Sequence, residues 1–116
     1  MKLKKGTIKQ LQKHIAQKIR ERGFKDETLH ERLLLLAEEV GELIHASRKL
    51  SGMNIDLLRE NISKSKEEAG EELVDVINMV FAVAAKLGID VEKEFLKKEK
   101  IIEKRKYKRL KKEIGN

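Results

Sequence analysis

A run of uncharged residues, 76–85, follows directly on the acidic segment 71–75, and this combination limits what the chain can fold into. The run is far shorter than the roughly 20 apolar residues that a membrane-spanning helix needs. As a helix it is apolar around its whole circumference, and such a helix is normally buried. The sequence therefore predicts a buried helix that carries carboxylates at its start.

A second acidic segment, 38–42, lies close to four consecutive leucines, 33–36, which also cover the whole circumference of a helix. Ionised carboxylates on buried helices need a partner or a metal ion. The ordinary explanation for glutamates in a chain with 41% charged residues is a solvated helix face. That explanation is weakest at these two segments, because both lie next to apolar helix surface.

Within each segment two carboxylates are three residues apart, Glu39 with Glu42 and Glu72 with Asp75. Residues at this spacing share one helix face, with Cβ atoms roughly 5–6 Å apart. Two such helices facing each other would bring four carboxylates into one small volume, where they repel unless a divalent cation neutralises them. Oxygen ligands and the absence of cysteine favour Mg²⁺, with Mn²⁺ as the alternative, over zinc.

The composition predicts an all-α fold of four main helices in a single domain, 1–116. Proline is absent and aromatic residues are 3% of the chain, so the residues typical of strands and turns are scarce. A short helix within 53–65 would join the second and third main helices. One small bundle can hardly cover a helix that is apolar on every side, so we expect oligomerisation to complete it. The expected helix caps are Thr7, Asp26 or Thr28, Ser65 and Asp90.

The net charge of +7 is unevenly distributed, because both ends of the chain are basic and the centre is acidic. Carboxylates that hold a cation, flanked by lysines and arginines that meet phosphates, suit a metal–polyphosphate site. Basic ends also suit a nucleic-acid surface, but that alternative leaves the acidic segments on apolar helices unexplained. The basic start of the chain lacks the apolar stretch of a signal peptide, so we expect a cytoplasmic protein.

The two motifs and their order resemble a known family. The segments EEVGEL at 38–43 and ELVDV at 72–76 are similar to the paired motifs of the MazG-like nucleoside triphosphate pyrophosphohydrolases, members of the all-α NTP pyrophosphatase superfamily. The resemblance covers about residues 8–107. It implies a helical homodimer or dimer of dimers that uses Mg²⁺ to cleave the α–β phosphoanhydride of a nucleoside triphosphate, giving the monophosphate and pyrophosphate.

The same resemblance implies residue roles. By motif position, the metal ligands would be Glu39, Glu42, Glu72 and Asp75. Glu38 would lie beside them and, with Glu39 and Glu72, serve the activation of water. The family also has a basic helix that meets the phosphates; the matching segment here is 100–107, and its candidate phosphate-binding residues are Lys100, Lys104 and Arg105.

Other functions stay open at this stage. Phosphoribosyl-ATP pyrophosphatase of histidine biosynthesis shares the superfamily and the bond cleaved, although the segment 41–43 (GEL) favours a MazG-like enzyme. A structural helical bundle without activity is a third reading, beside the nucleic-acid surface. Among the aromatic residues, we expect Phe81 and Phe95 in the core, whereas for Phe24 and Tyr107 stacking on a nucleotide base and packing within the protein both stay open.

Overall fold

A computed structural model describes residues 4–50 and 59–114, with side-chain surroundings for 4–50 and 62–105. Every regular element within these ranges is a helix: α1 (Thr7–Glu21), α2 (Leu29–Arg48), α3 (Arg59–Leu87) and α4 (Val91–Ile114). The all-α prediction of four main helices is confirmed. The predicted contributions of residues 51–58 and of the Tyr107 side chain lie outside the described parts.

The start of α1 is capped by a side chain of α4 and not by a residue of its own sequence. Thr7 was expected as the cap, but its hydroxyl donates to the carbonyl oxygen of Lys4 over 2.8 Å, and the N-cap is Gly6 without a side-chain bond. Instead, Oε1 of Glu92 on α4 accepts from the backbone N–H groups of Gly6 (2.9 Å) and Lys9 (3.3 Å). A carboxylate satisfies unpaired N–H groups at a helix start and complements the helix dipole.

Glycines end α1 and α3 in the same way. Gly23 has a φ of 82°, and the next N–H, of Phe24, donates to the carbonyl oxygen of Ile19 over 2.9 Å. Gly88 has a φ of 65° and is followed by an equivalent bond from Ile89. This is the Schellman arrangement, in which a left-handed glycine lets the chain turn back on the last carbonyls. The turns direct α2 and α4 away from the helices before them.

Two local caps that the sequence predicts are confirmed. The Thr28 hydroxyl accepts from the Glu31 N–H over 3.1 Å while the Glu31 carboxylate reaches back to Thr28, so a capping box opens α2. Asp90 Oδ1 accepts from the Lys93 N–H over 3.2 Å at the start of α4. Both caps use only residues within one helical turn, which explains why the sequence alone identifies them.

The predicted start of α3 at Ser65 is wrong. The helix already includes Arg59, and Ser65 is a buried interior residue with 5% of its surface exposed. No proline or glycine interrupts the chain between residue 59 and Gly70, so helical hydrogen bonds propagate through the serine. The predicted short helix over 53–65 is therefore, from Arg59 onward, the first part of α3.

The antiparallel pair of α2 and α3 is the centre of the fold, and α1 packs on α3 and α4. Buried Arg32 on α2 bonds the backbone of Ala82, and Lys49 at the other end pairs with Glu68 over 3.9 Å. The buried apolar side chains are mostly small, which lets the helices approach closely: Ile15, Ala46, Ala69, Phe81, Ala82 and Ala84. Phe81 thus lies in the core as expected.

Phe95 was expected in the core, but 48% of its surface is exposed in the single chain. The reason is that α4 packs on α1 near its own start and leaves the rest of its apolar side open. Large apolar residues are also exposed on α2 and α3, among them Leu34 (59%), Ile44 (61%) and Val74 (54%). One copy of the chain therefore buries only part of the apolar surface that its helices carry.

Candidate metal centre and nucleotide pocket

Three of the predicted site carboxylates meet in the groove between α2 and α3. Glu39, Glu72 and Asp75 each place one oxygen within 4.8 Å of the others. Glu39 and Glu72 are half-buried, whereas Asp75 is exposed, so the group opens to solvent on one side. A cation could enter from that side and meet three carboxylates at once.

Backbone register explains why residues so far apart in sequence meet. Arg32 Nη1 donates to the carbonyl oxygen of Ala82 over 2.7 Å. Arg32 precedes Glu39 by as many residues as Ala82 follows Asp75. In an antiparallel pair of helices, the contact of Arg32 with Ala82 and the meeting of Glu39 with Asp75 therefore belong to one register. The same register brings Glu42 level with Glu72. The sequence gives the helical spacing within each motif, and the packing of α2 on α3 aligns the two motifs.

The negative charges of Glu39, Glu72 and Asp75 act on one another without a compensating positive charge among the described residues. Partial burial raises the pKa of Glu39, and the neighbouring charges of Asp75 and Glu72, a hydrogen bond with Glu72 and the charge of Glu38 raise it further. Among the described residues, the Oε2 atom of Glu72 is buried and has no hydrogen-bond partner. Buried polar atoms nearly always have a partner, so Glu72 Oε2 is an acceptor whose partner is still to be identified.

This donor set fits a hard divalent ion. The ligand atoms that converge in the described part of the chain are carboxylate oxygens, which is the ligand type of Mg²⁺, Mn²⁺ and Ca²⁺ and not of metals that favour thiolate or imidazole. Glu39, Glu72 and Asp75 are the residues that would hold the ion. The unpartnered Glu72 oxygen and the raised pKa of Glu39 are features of uncompensated carboxylates, which a bound cation would relieve.

Two further predicted carboxylates lie next to the group without joining it. Glu42, the fourth predicted ligand, is one turn along α2 from Glu39 and exposed, and it is not among the three oxygens that converge. Glu38 is also exposed, and its charge is felt at Glu39. The metal role of Glu42 and the water-activating role of Glu38 stay predictions.

The predicted phosphate-binding residues are on a different helix from the carboxylates. Lys100, Lys104 and Arg105 are exposed on α4, and α4 packs on α1, whereas the carboxylates are on α2 and α3. Within the described residues, the chain brings none of these three cations to the carboxylates by a hydrogen bond or an ion pair. Their role in phosphate binding likewise stays a prediction.

A cavity of about 570 Å³ lies between α1 and the α2–α3 pair, beside the carboxylates. Leu35, one turn before Glu39, and Asn78 and Met79, about one turn after Asp75, line it. One turn of helix is about 5.4 Å, so the cavity begins next to the carboxylate group. Its volume lies within the range of about 300–1,000 Å³ that is usual for small-molecule sites.

The wall that α1 contributes to this cavity was missed in the sequence analysis. His14, Lys18 and Arg22 line it together with the exposed ring of Phe24. The first three follow one another at four-residue spacing, which places them on one helix face. That spacing was a readable signal, although the sequence does not show that this face of α1 looks toward the carboxylates. Phe24, a predicted base-stacking residue, is on the cavity wall.

An all-helical fold with a carboxylate group beside a nucleotide-sized, partly basic cavity has the features of a metal-assisted nucleotide hydrolase. Residues 7–104 match the family model described as phosphoribosyl-ATP pyrophosphohydrolase, and the chain belongs to this family. The family is part of the MazG-like all-α NTP pyrophosphatase superfamily, so the superfamily prediction is confirmed. Within it, the matching family is the one that the sequence analysis kept as its nearest enzyme alternative.

The chain is thus a hydrolase of phosphoanhydride bonds, a pyrophosphohydrolase that acts on a phosphoribosyl-ATP-like nucleotide. Searches of curated proteins and of solved structures gave no match. Among the helices in the described parts of the chain, none has the length and apolar character to span a membrane.

Proposed function

We propose that this protein is a Mg²⁺-dependent pyrophosphohydrolase, with Mn²⁺ as an effective substitute, that cleaves the α–β phosphoanhydride of phosphoribosyl-ATP. The products are pyrophosphate and the corresponding phosphoribosyl-AMP. The observation that carries the proposal is the convergence of Glu39, Glu72 and Asp75 in a chain that matches this family. A plain nucleoside triphosphate is the second candidate substrate, favoured by the GEL segment at 41–43.

Each part of the site has a role in the proposed reaction. A bound divalent ion would neutralise the polyphosphate and make water a better nucleophile. Glu39, Glu72 and Asp75 would hold that ion, and exposed Glu38, the residue before Glu39, would accept the proton of the attacking water. The water oxygen bonds to the α-phosphorus, the bond to the bridging oxygen breaks, and that oxygen leaves with pyrophosphate.

We further propose that the working form is a homodimer or a dimer of dimers, built on a single domain over residues 1–116. The support is the exposed apolar surface of α2, α3 and α4 in one copy. In such an assembly the basic half of α4, with Lys100, Lys104 and Arg105, can approach the carboxylates of another copy. That would reconcile the predicted phosphate-binding residues with their distance from the carboxylates within one chain.

The reaction is tested by running it in ¹⁸O-labelled water with Mg²⁺ and analysing the products by mass spectrometry. Phosphoribosyl-ATP and the common nucleoside triphosphates are compared as substrates. Label in the monophosphate product supports attack at the α-phosphorus. Label found only in pyrophosphate, or a diphosphate product, would refute the assignment of the bond. Faster turnover of a plain triphosphate than of phosphoribosyl-ATP would select the second candidate.

A further inference from the structure

We propose that Arg22 and Lys18 form a subsite for a second, distal phosphate group, so that the substrate is held at both of its anionic ends. The inference rests on the proposed function and deepens it, because it assigns a binding site to the end of phosphoribosyl-ATP that does not react. The carboxylate group takes the triphosphate through its cation. The far wall of the adjoining cavity takes the terminal phosphate of the phosphoribosyl group.

The cavity has two ends that differ in charge and position. At one end Leu35 is a single turn from Glu39. At the other end is Phe24, whose carbonyl oxygen accepts from Arg32 Nη2 over 3.1 Å, and Arg32 precedes Glu39 by two turns, about 10 Å along the helix. Arg22 lines the same cavity and lies two residues before Phe24, and we assign it to this remote end on that basis.

The charges that face the remote end favour an anion. Glu27 lines the cavity, but its carboxylate is paired with the Arg32 guanidinium over 3.5 Å. Lys18 pairs with exposed Glu21 over 3.1 Å, an interaction that a phosphate can displace at little cost. Arg22 has no partner among the described residues, and its planar guanidinium is suited to bidentate phosphate binding.

The cavity also offers an apolar surface for the nucleoside. Ile15, Ile19, Met79 and Ala82 contribute aliphatic walls, and the ring of Phe24 is available for stacking. A purine placed there leaves its triphosphate at the carboxylates. A plain nucleoside triphosphate has no charged group for the remote end, whereas a phosphoribosyl-substituted one has a phosphate there. The basic wall therefore distinguishes the two substrate classes.

The same helix supplies a matched control. Arg20 is exposed and lines two other cavities, of about 210 Å³ and 410 Å³, and not the one beside the carboxylates. The substitutions Arg20→Gln and Arg22→Gln remove the same charge from positions two residues apart on one helix. Both side chains are exposed, so neither change is expected to disturb the fold.

The test is calorimetric titration of the full chain with phosphoribosyl-AMP and, separately, with AMP, in a chelator so that no metal ion contributes to phosphate binding. We expect phosphoribosyl-AMP to bind about 10–100-fold more tightly, the effect of one or two charge-assisted hydrogen bonds. Arg22→Gln and Lys18→Gln should each remove most of this preference, and Arg20→Gln should keep it. Equal affinities for the two ligands, or a preference that survives Arg22→Gln, would overturn the subsite.

This measurement separates the subsite from the proposed function. If wild-type protein shows the binding preference but hydrolyses no phosphoribosyl-ATP, the reaction assignment fails and the subsite stands. If it hydrolyses phosphoribosyl-ATP yet binds the two monophosphates equally, the reaction stands and the subsite fails. In the active enzyme, Arg22→Gln should raise KM for phosphoribosyl-ATP about 10–100-fold with kcat little changed.

Discussion

Arg32 on α2 donates a hydrogen bond of 2.7 Å from Nη1 to the backbone carbonyl oxygen of Ala82 on α3. The contact lies about two helical turns from the place where Glu39 meets Asp75, on the same pair of helices. A side chain that donates a hydrogen bond to the backbone of the neighbouring helix fixes the position of one helix along the other. The alignment of the carboxylates therefore depends on a residue that is not itself part of the site.

Replacing Arg32 by methionine should destabilise the protein by about 2–4 kcal/mol, because the change leaves buried carbonyl oxygens and Glu27 without their partner. Only 3% of the Arg32 surface is exposed, so water cannot take its place. Urea denaturation at fixed protein concentration measures the loss. The exposed Arg20→Met variant is the control and should stay within about 0.5 kcal/mol of wild type. Equal losses for both variants would refute the role of Arg32.

Some features set by neighbouring residues were predictable from the sequence, although the caps expected at Thr7 and Ser65 were not found, and features set by helix packing were not predictable. Thr28, Asp90 and Gly23 act within one turn of their helix ends, so their positions could be inferred. The cap that Glu92 provides for α1 joins residues at opposite ends of the chain, and no local pattern indicates it.

In the candidate site as well, the spacing within one helix was predictable and the packing between helices was not. The spacing of Glu72 and Asp75 put them on one helix face, but their meeting with Glu39 depends on a register that residue counting cannot give. The cavity depends on how α1 crosses the α2–α3 pair, which is a property of packing. Its basic wall at Lys18 and Arg22 was therefore overlooked, while the basic residues of α4 were given the phosphate role.

Removing the remote cap should destabilise the start of α1. Glu92→Ala is expected to lower the free energy of unfolding by about 1–2 kcal/mol, because two backbone N–H groups lose their acceptor and the helix dipole loses its counter-charge. Glu94→Ala, an exposed change on the same first turn of α4, should have a much smaller effect. Urea denaturation compares the two variants, and hydrogen exchange at Lys9 should quicken only in Glu92→Ala.

Metal binding should depend on Glu72, whose Oε2 is buried without a partner. Glu72→Gln is expected to weaken Mn²⁺ binding at least about ten-fold in calorimetric titration of metal-stripped protein, with a comparable or greater loss of turnover. Glu71→Gln is the matched control, because Glu71 is the preceding, exposed residue of the same helix. Indistinguishable Mn²⁺ affinities for the two variants would argue against a cation at the carboxylate group.

Glu39 should make the metal-free protein less stable as the pH rises. Its pKa in the folded state is raised above the ordinary value of 4.5, chiefly by burial and by the charges of Asp75 and Glu72. A carboxyl group whose pKa is higher in the folded than in the unfolded protein contributes its full stabilisation at pH values below the unfolded-state pKa. That stabilisation is lost as the pH rises through the folded-state pKa. Glu39→Gln should therefore stabilise the metal-free protein at neutral pH, although it weakens Mn²⁺ binding.

Urea midpoints in a chelator, measured from about pH 4 to pH 8, check the sign of this effect. Glu21 is a useful contrast, because hydrogen bonds from Lys18 and Gln17 lower its pKa. The contribution of Glu21 to stability is present at pH values above the ordinary pKa of the group and is lost as the pH falls. Glu21→Gln should therefore not stabilise the protein at neutral pH. A Glu39→Gln variant that is less stable than wild type throughout this range would contradict the repulsion described here.

The exposed apolar surface predicts that the chain associates with itself. On α2, Leu33, Val40 and Ile44 are seven and four residues apart, which places them on one side of the helix, and between 38% and 61% of each residue's surface is exposed. A continuous apolar strip of this kind usually marks an interface in a soluble protein. Light scattering should give a multiple of the 13.4 kDa chain mass at micromolar concentration, and Ile44→Lys should shift the population toward single chains.

The control for this shift is Leu11→Lys on α1, where a leucine with 44% of its surface exposed lies outside the α2 strip. Both variants add one positive charge in place of an exposed aliphatic side chain, so a general effect of charge on association would appear in both. We expect Leu11→Lys to keep the wild-type mass. A wild-type particle of 13.4 kDa at every micromolar concentration would rule out the assembly, and the basic half of α4 would then have no route to the carboxylates of another copy.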